Sequence, residues 1–397
     1  MVSLAGRRVA VIGGTGFIGS HLTQRLVGEG ADVLAVARSA ARFDQLETVR
    51  TECVIALADT SDAEMMLRVL RRFRPEIVFH LASHPDANES FAHLADGMRT
   101  NGLGLVYSLQ ASVAAGAELF VYGDSAKDYG NAPVPYRAAQ PATPICSYAI
   151  MKSAGWQLCQ LVSSFTPLRT VALRPTFVYG PRQGRNVITY AHDCVNADRP
   201  VRLMGGTQTR DPLYIDDAVS AFVAAATQPT SWGHAIPIGG GEELTVISLC
   251  EAVVRALGAP VAVLAGAEEP RLTEIWRSSS DNVDAHRLLG WEPRVSLADG
   301  LRQTLADRVA AGHRAAAAAA TPALRPHTYL GTTPAGVYRM LDRREGPDRR
   351  SLPRGGRRVT DAVPLTAAAA VAGAGAFAAP APHSPFHSYR SGEGNQV

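Results

Sequence analysis

The sharpest chemistry in the chain lies in Tyr148-Ala-Ile-Met-Lys152. Residues four apart share one face of a helix, so this spacing sets an ammonium beside a phenol. A nearby positive charge favours phenolate and lowers a pKa that starts near about 10, giving an acid/base usable close to neutral pH. The choice of lysine is pointed. Arginine serves almost everywhere else, and the only two lysines are Lys127 and Lys152. A compact ammonium fits where a planar guanidinium does not. Upstream, Val121-Tyr-Gly-Asp-Ser125 reads as a strand running into a loop, which leaves the Ser125 hydroxyl just past a strand end, where ligands of open α/β sheets bind.

A second motif is Val11-Ile-Gly-Gly-Thr-Gly-Phe-Ile-Gly19, with Gly13, Gly16 and Gly19 in G-x-x-G-x-x-G spacing and Phe17 and Ile18 opening a helix. Glycines permit the tight turn and let the backbone approach a pyrophosphate, whose charge the helix N-terminus receives. The next strand, residues 33–37, is followed by Arg38. A carboxylate there would grip a ribose 2′-hydroxyl, whereas an arginine suits a 2′-phosphate, so the position predicts NADP in preference to NAD.

These residues need a scaffold that brings several strand ends together. Apolar, β-branched runs at 9–12, 33–37, 52–57, 77–81 and 119–122 alternate with helix-like stretches such as 16–29 and 63–73. A helix over 148–165 and a strand over 170–173 extend the series. The pattern predicts an α/β chain, a Rossmann-type doubly wound parallel sheet over residues 1–175. Residues 176–312, looser and rich in Gly, Pro and polar types, read as a smaller substrate-binding subdomain, of which about 210–230 returns to the first domain. At 313 the composition turns to alanine, arginine, glycine and proline, and 313–397 reads as a disordered tail.

With 397 residues and 46% hydrophobic composition the chain can bury a large core, which excludes a small module or wholesale disorder. A net charge of +3 is too small to imply a nucleic-acid or membrane partner for the whole. The tail is the exception, with eleven arginines against five acids, yet no aromatic residue interleaves the arginine runs at 342–350 and 354–358 as a nucleic-acid platform would require. Its stretch at 365–379 is too short to span a bilayer. Five cysteines with no C-x-x-C spacing suggest neither a disulfide framework nor a metal site, and fit a reducing cytoplasm.

Taken in order, the glycine motif, Leu81-Ala82-Ser83, Ser125 before Tyr129-Gly130, Tyr148-x-x-x-Lys152, Arg174 before Val178-Tyr-Gly-Pro-Arg182, Arg210-Asp-Pro-Leu-Tyr-Ile-Asp-Asp217 and Leu289-Gly-Trp-Glu-Pro293 resemble the extended short-chain dehydrogenase/reductases, the NAD(P)-dependent sugar-nucleotide epimerase/dehydratase family. The likeness spans about residues 6 to 310. It implies that Ser125, Tyr148 and Lys152 are the catalytic triad, with Tyr148 taking a proton from a sugar hydroxyl as hydride leaves the same carbon for nicotinamide. It further implies that Asp59, Leu81, Ala82 and Asn101 face the cofactor, that Asn186, Val187, Arg210 and Arg271 hold the nucleoside diphosphate, and that the chain forms a homodimer through the Tyr148 helix. An epimerase working through a transient keto sugar is the expected activity. A keto-sugar reductase, a 4,6-dehydratase and a non-catalytic NADP-binding scaffold are the alternatives.

Three positions depart from the family pattern. Dehydratases follow the catalytic hydroxyl with Asp and Glu, because eliminating water needs an acid and a base; here Ala126 and Lys127 stand there. Phe177 replaces a frequent asparagine, and His84 and Pro85 occupy a loop that faces substrate in relatives.

Overall fold

The computed structural model describes residues 3–84 and 89–320. In the first half, β1 (Arg8–Ile12), β2 (Asp32–Ala37), β3 (Val54–Leu57), β4 (Ile77–His80), β5 (Leu119–Gly123) and β6 (Arg169–Pro175) alternate with α1 (Phe17–Gly28), α2 (Ala63–Phe73), α3 (Phe91–Gly97), α4 (Gly104–Ala115) and α5 (Ser147–Phe165). The strands arise where β-branched and apolar residues run without a break, since a parallel strand is buried on both faces. Helix α2 begins where it does because Asp62 caps it, its side chain accepting from Met65 N.

Beyond β6 the chain is more regular than its composition predicts. It forms β7 (Phe177–Tyr179), α6 (Val187–Asn196), β8 (Val201–Met204), β9 (Thr209–Arg210), β10 (Pro212–Tyr214), α7 (Ile215–Thr227), β11 (Ala235–Ile238), β12 (Leu244–Thr245), α8 (Val246–Ala256), β13 (Val263–Glu268), α9 (Val283–Leu289) and α10 (Leu297–Ala320). Helix α10 carries on through 313–320, where a disordered tail was expected to start, because alanine is the strongest helix former. The rest of that expectation, over 321–397, lies outside the described residues, as does Pro85.

The main sheet has seven strands in the order β11-β6-β5-β4-β1-β2-β3, all parallel. The seventh strand, β11, contains Pro237 and takes an edge, where a missing N–H is tolerated. Alternate residues feed two cores. Val9 and Val11 pack with Leu22 and Leu26 of α1 and with Ala221, Phe222 and Ala225 of α7, whereas Ala10 and Ile12 join Met66, Val69 and Leu70 of α2 and Leu105 of α4. Helix α7 thus lies beside α1 against the sheet. The order reverses at β1, so the carboxyl ends of β1 and β4 open the crevice where such sheets bind ligands.

Candidate active site

Strand β5 ends at Gly123 and leads through Asp124 and Ser125 into a 3₁₀ turn, Ala126–Tyr129, which Ser125 caps by accepting from Lys127 N at 3.2 Å. Tyr148 sits in the first turn of α5 and Lys152 one turn further, buried. The helix comes close to β5 because Gly155 has no side chain: a Cβ there would stand 2.3 Å from the Tyr122 hydroxyl. Lys152 Nζ donates to the Gly123 carbonyl at 2.7 Å and lies 5.7 Å from the centroid of the Tyr148 ring. The hydroxyls of Ser125 and Ser83 contact the Tyr148 phenol. Ser125, Tyr148 and Lys152 are therefore brought together, and Ser83, at the end of β4, joins them.

The sign of the phenol shift is opposite to the sequence expectation. Burial raises the Tyr148 pKa above its ordinary value and the negative charge of Asp124 and Asp128 raises it further, while Ser83 and Ser125 pull it partly back. Lys152 does not reverse this, since its ammonium is turned to Gly123 O and burial draws its own pKa down to about 8. The two carboxylates beneath the site are held by Arg174, with Nε 2.8 Å from Asp124 and Nη2 3.3 Å from Asp128. The Tyr129 ring lies 5.0 Å from the same guanidinium carbon.

The residues at the end of β1 fit a dinucleotide. Gly13 has φ +89°, and a Cβ on it would meet Ala82 N at 2.7 Å, so Leu81 and Ala82 lie directly against the glycine turn. A Cβ on Gly19 would meet Gly13 O at 2.1 Å, which brings the helix down onto the turn. The N-terminus of α1, capped by the backbone of Gly16, has neither a side-chain cap nor an acidic residue in its first turn, leaving its N–H groups for an anion. Phe17 and Ile18 open that helix, Arg38 is exposed just beyond β2, and Asp59 follows β3 with Oδ1 accepting from Ser61 N at 2.9 Å.

Asn101 lies behind the loop that follows β4. It is buried, and its Oδ1 accepts from His84 N at 2.8 Å and Ser83 Oγ at 3.2 Å while its Nδ2 donates to His84 O at 3.2 Å. The amide thus fixes the loop that carries Leu81, Ala82 and Ser83. Asn186 and Val187 start α6, and the Asn186 amide is taken up by a capping box with Thr189 and by Gln183 at 2.6 Å. Arg210 Nη1 donates to Thr209 O and Ile275 O, and Nη2 pairs with Glu274 at 2.5 Å. Arg271 is exposed, and Lys127 senses the charge of both arginines. Lys127 Nζ also lies 5.5 Å from the Tyr148 ring centroid. Phe177 begins β7, paired with β10 and packed against the core.

Residues 9–239 match the model of the NAD-dependent epimerase/dehydratase family. UDP-glucose 4-epimerase of Mycolicibacterium smegmatis is 32% identical over 315 residues, spanning 75% of this chain and 97% of that one. The UDP-glucose 4-epimerase of Thermotoga maritima, solved with UDP-glucose, superposes with a TM-score of 0.70 at 28% identity, covering 77% and 99% of the two chains. That of Thermus thermophilus, solved with NAD, gives 0.69 at 28% identity over 76% and 98%. With its glycine turn, strand-end serine and Tyr148–Lys152 helix in the order and place that this fold requires, the chain belongs to the NAD-dependent epimerase/dehydratase family of extended short-chain dehydrogenase/reductases.

Proposed function

We propose that the chain interconverts the C4 epimers of a sugar nucleotide. The observation that carries this reading is the meeting of Ser125, Ser83 and Lys152 around one phenol at the carboxyl ends of β4 and β5. When bound, the nicotinamide supplies the acceptor and donor of hydride. Tyr148 takes the proton of the C4 hydroxyl and later returns it. Ser125 holds that oxygen by a hydrogen bond, and Lys152, anchored on Gly123, offers its remaining N–H groups to the ribose. Asn101 positions the wall formed by Leu81 and Ala82. Gly13, Gly16 and Gly19 admit the pyrophosphate, while Asp59 and Arg38 stand at the adenosine end. Arg210 and Arg271 meet the substrate's diphosphate, beside the segment begun by Asn186 and Val187. Ala126 and Lys127 supply no acid and base pair for eliminating water, which favours epimerisation over dehydration.

NADP is the proposed cofactor, on the strength of Arg38. A homodimer through α4 and α5 is supported by exposed apolar side chains: Leu103 just before α4, Val106 on it, and Ile150, Leu161 and Phe165 along α5. The five cysteines are free and four are buried, which suits a cytoplasmic protein. Incubation of the purified protein with UDP-glucose or UDP-glucuronate and either NADP or NAD, followed by NMR of the sugar, tests the reading. Accumulation of the galacto epimer without net cofactor reduction supports it; no conversion by a cofactor-loaded protein refutes it.

A further inference from the structure

Both lysine ammoniums of the chain lie near the Tyr148 ring, Lys152 at 5.7 Å and Lys127 at 5.5 Å from its centroid. The two are not equivalent. Lys152 is buried and spends a hydrogen bond on Gly123 O. Lys127 has an exposed stem, and among the described residues no carboxylate forms an ion pair with it. The charged groups that act most strongly on its tip are Arg210, Arg271 and Glu274, with the Cys146 thiol beside them. Glu274 is already taken by Arg210. Burial of its tip, and then the charge of the two arginines, hold the Lys127 ammonium below the ordinary lysine range. Three cations facing one engaged carboxylate make a pocket that wants more negative charge than the protein supplies.

A diphosphate answers part of that demand, and the planar forks of Arg210 and Arg271 suit phosphate oxygens. Lys127 is placed for something else. It lies two residues beyond Ser125 on the same 3₁₀ turn and over the ring of Tyr148, so its ammonium stands on the reacting-carbon side of Arg210 and Arg271. On a hexose, C4 is flanked by C3, which carries a neutral hydroxyl, and by C5, which carries C6, the one neighbouring substituent that can be an anion. We infer that Lys127 is a specificity residue that binds a carboxylate at C6, and that the sugar handled here is a uronic acid. The reaction named rests on the epimerase reading above, whereas the carboxylate preference is a property of binding and can be measured without turnover.

The test uses the full chain loaded with its dinucleotide. In a Tyr148→Phe background, calorimetric titration should find UDP-glucuronate bound roughly 10- to 100-fold more tightly than UDP-glucose, the range expected of a charge-assisted hydrogen bond. Adding Lys127→Met should bring the two affinities together, and Lys127→Arg should restore part of the difference. With Tyr148 intact, the ratio of kcat/KM for the uronate over the hexose should fall by a similar factor in Lys127→Met, mainly through KM. Equal affinity for the two ligands with Lys127 in place overturns the inference whether or not any variant folds. So does an equal loss for both in Lys127→Met, which would assign the ammonium to the diphosphate. A clear binding preference without turnover of either compound leaves the inference standing and removes the epimerase reading instead.

Discussion

Asp124 and Asp128 share one guanidinium: Arg174 reaches the first with Nε at 2.8 Å and the second with Nη2 at 3.3 Å, and neither carboxylate is exposed. One cation cannot neutralise two buried anions, so burial and then the charge of Asp124 push the Asp128 carboxyl up to about 9. A carboxyl raised in the folded chain favours folding fully below its unfolded value near about 3.9 and loses that contribution as pH climbs through the folded one. Asp128→Asn keeps the shape and cannot ionise. Relative to the parent, the variant should gain stability steadily between about pH 4 and 9, by at most about 1.4 kcal/mol per pH unit. Urea unfolding of both proteins at several pH values measures this, and a pH-independent difference contradicts it.

Tyr148→Phe removes the hydroxyl on which Ser125 and Ser83 converge. Loss of a positioned acid/base should lower kcat roughly 100- to 10 000-fold while the dinucleotide affinity stays near that of the parent. Steady-state rates and a cofactor titration on the same preparation separate the two effects. Retained turnover would remove the phenol from the mechanism.

Gly19→Ala would drive a methyl group to within 2.1 Å of the Gly13 carbonyl oxygen, backbone that cannot yield without lifting α1 from the turn. Overpacking of this kind costs about 1–3 kcal/mol of stability. The pyrophosphate seat moves with the helix, so dinucleotide affinity should fall at least roughly tenfold as well, the loss of one charge-assisted hydrogen bond. Denaturant unfolding and titration with NADP report each change, and unaltered affinity would mean that the turn does not hold the phosphates.

Arg38→Asp exchanges a phosphate-binding cation for a group that accepts from ribose hydroxyls. The NADP to NAD affinity ratio should drop roughly 10- to 100-fold. A ratio that does not move assigns Arg38 to solvent.

Leu161→Glu with Phe165→Glu places two charges on one face of α5, at side chains 57% and 68% exposed in the single chain. Sedimentation equilibrium should find a dimer for the parent and a monomer of unchanged helicity for the variant. A monomeric parent ends the dimer proposal.

How far the sequence carries depends on whether the signal is local. Strands β1 and β2 and helix α2 are visible as uninterrupted apolar runs and as a capped 3.6-residue period, and Tyr148 and Lys152 are visible as an i, i+4 pair. Helix α8 has the same kind of period in Val246, Leu249, Cys250 and Val253, but it lies within a Gly- and Pro-rich stretch that masks it. Strand β11 is four residues long and includes a proline, so nothing marks it until β6 offers an edge. Ser83 joins the site, and Arg174 binds Asp124 from 50 residues away, only because β4, β5 and β6 end side by side. That separation also explains the phenol: the spacing places Lys152 near Tyr148 but says nothing of the two carboxylates that outweigh it.

The scarcity of lysine gives the site a chemical address. Reagents that acylate amines, such as succinimidyl esters, need an unprotonated and accessible nitrogen, and the chain offers them two side chains. Lys152 is buried on Gly123, whereas the stem of Lys127 is exposed and partial burial of its ammonium, with the nearby arginines, holds its pKa down. Once any α-amino group is blocked, a dye on Lys127 would stand beside Tyr148 without cloning a cysteine, and its emission would follow the sugar end of the cleft as it fills and empties.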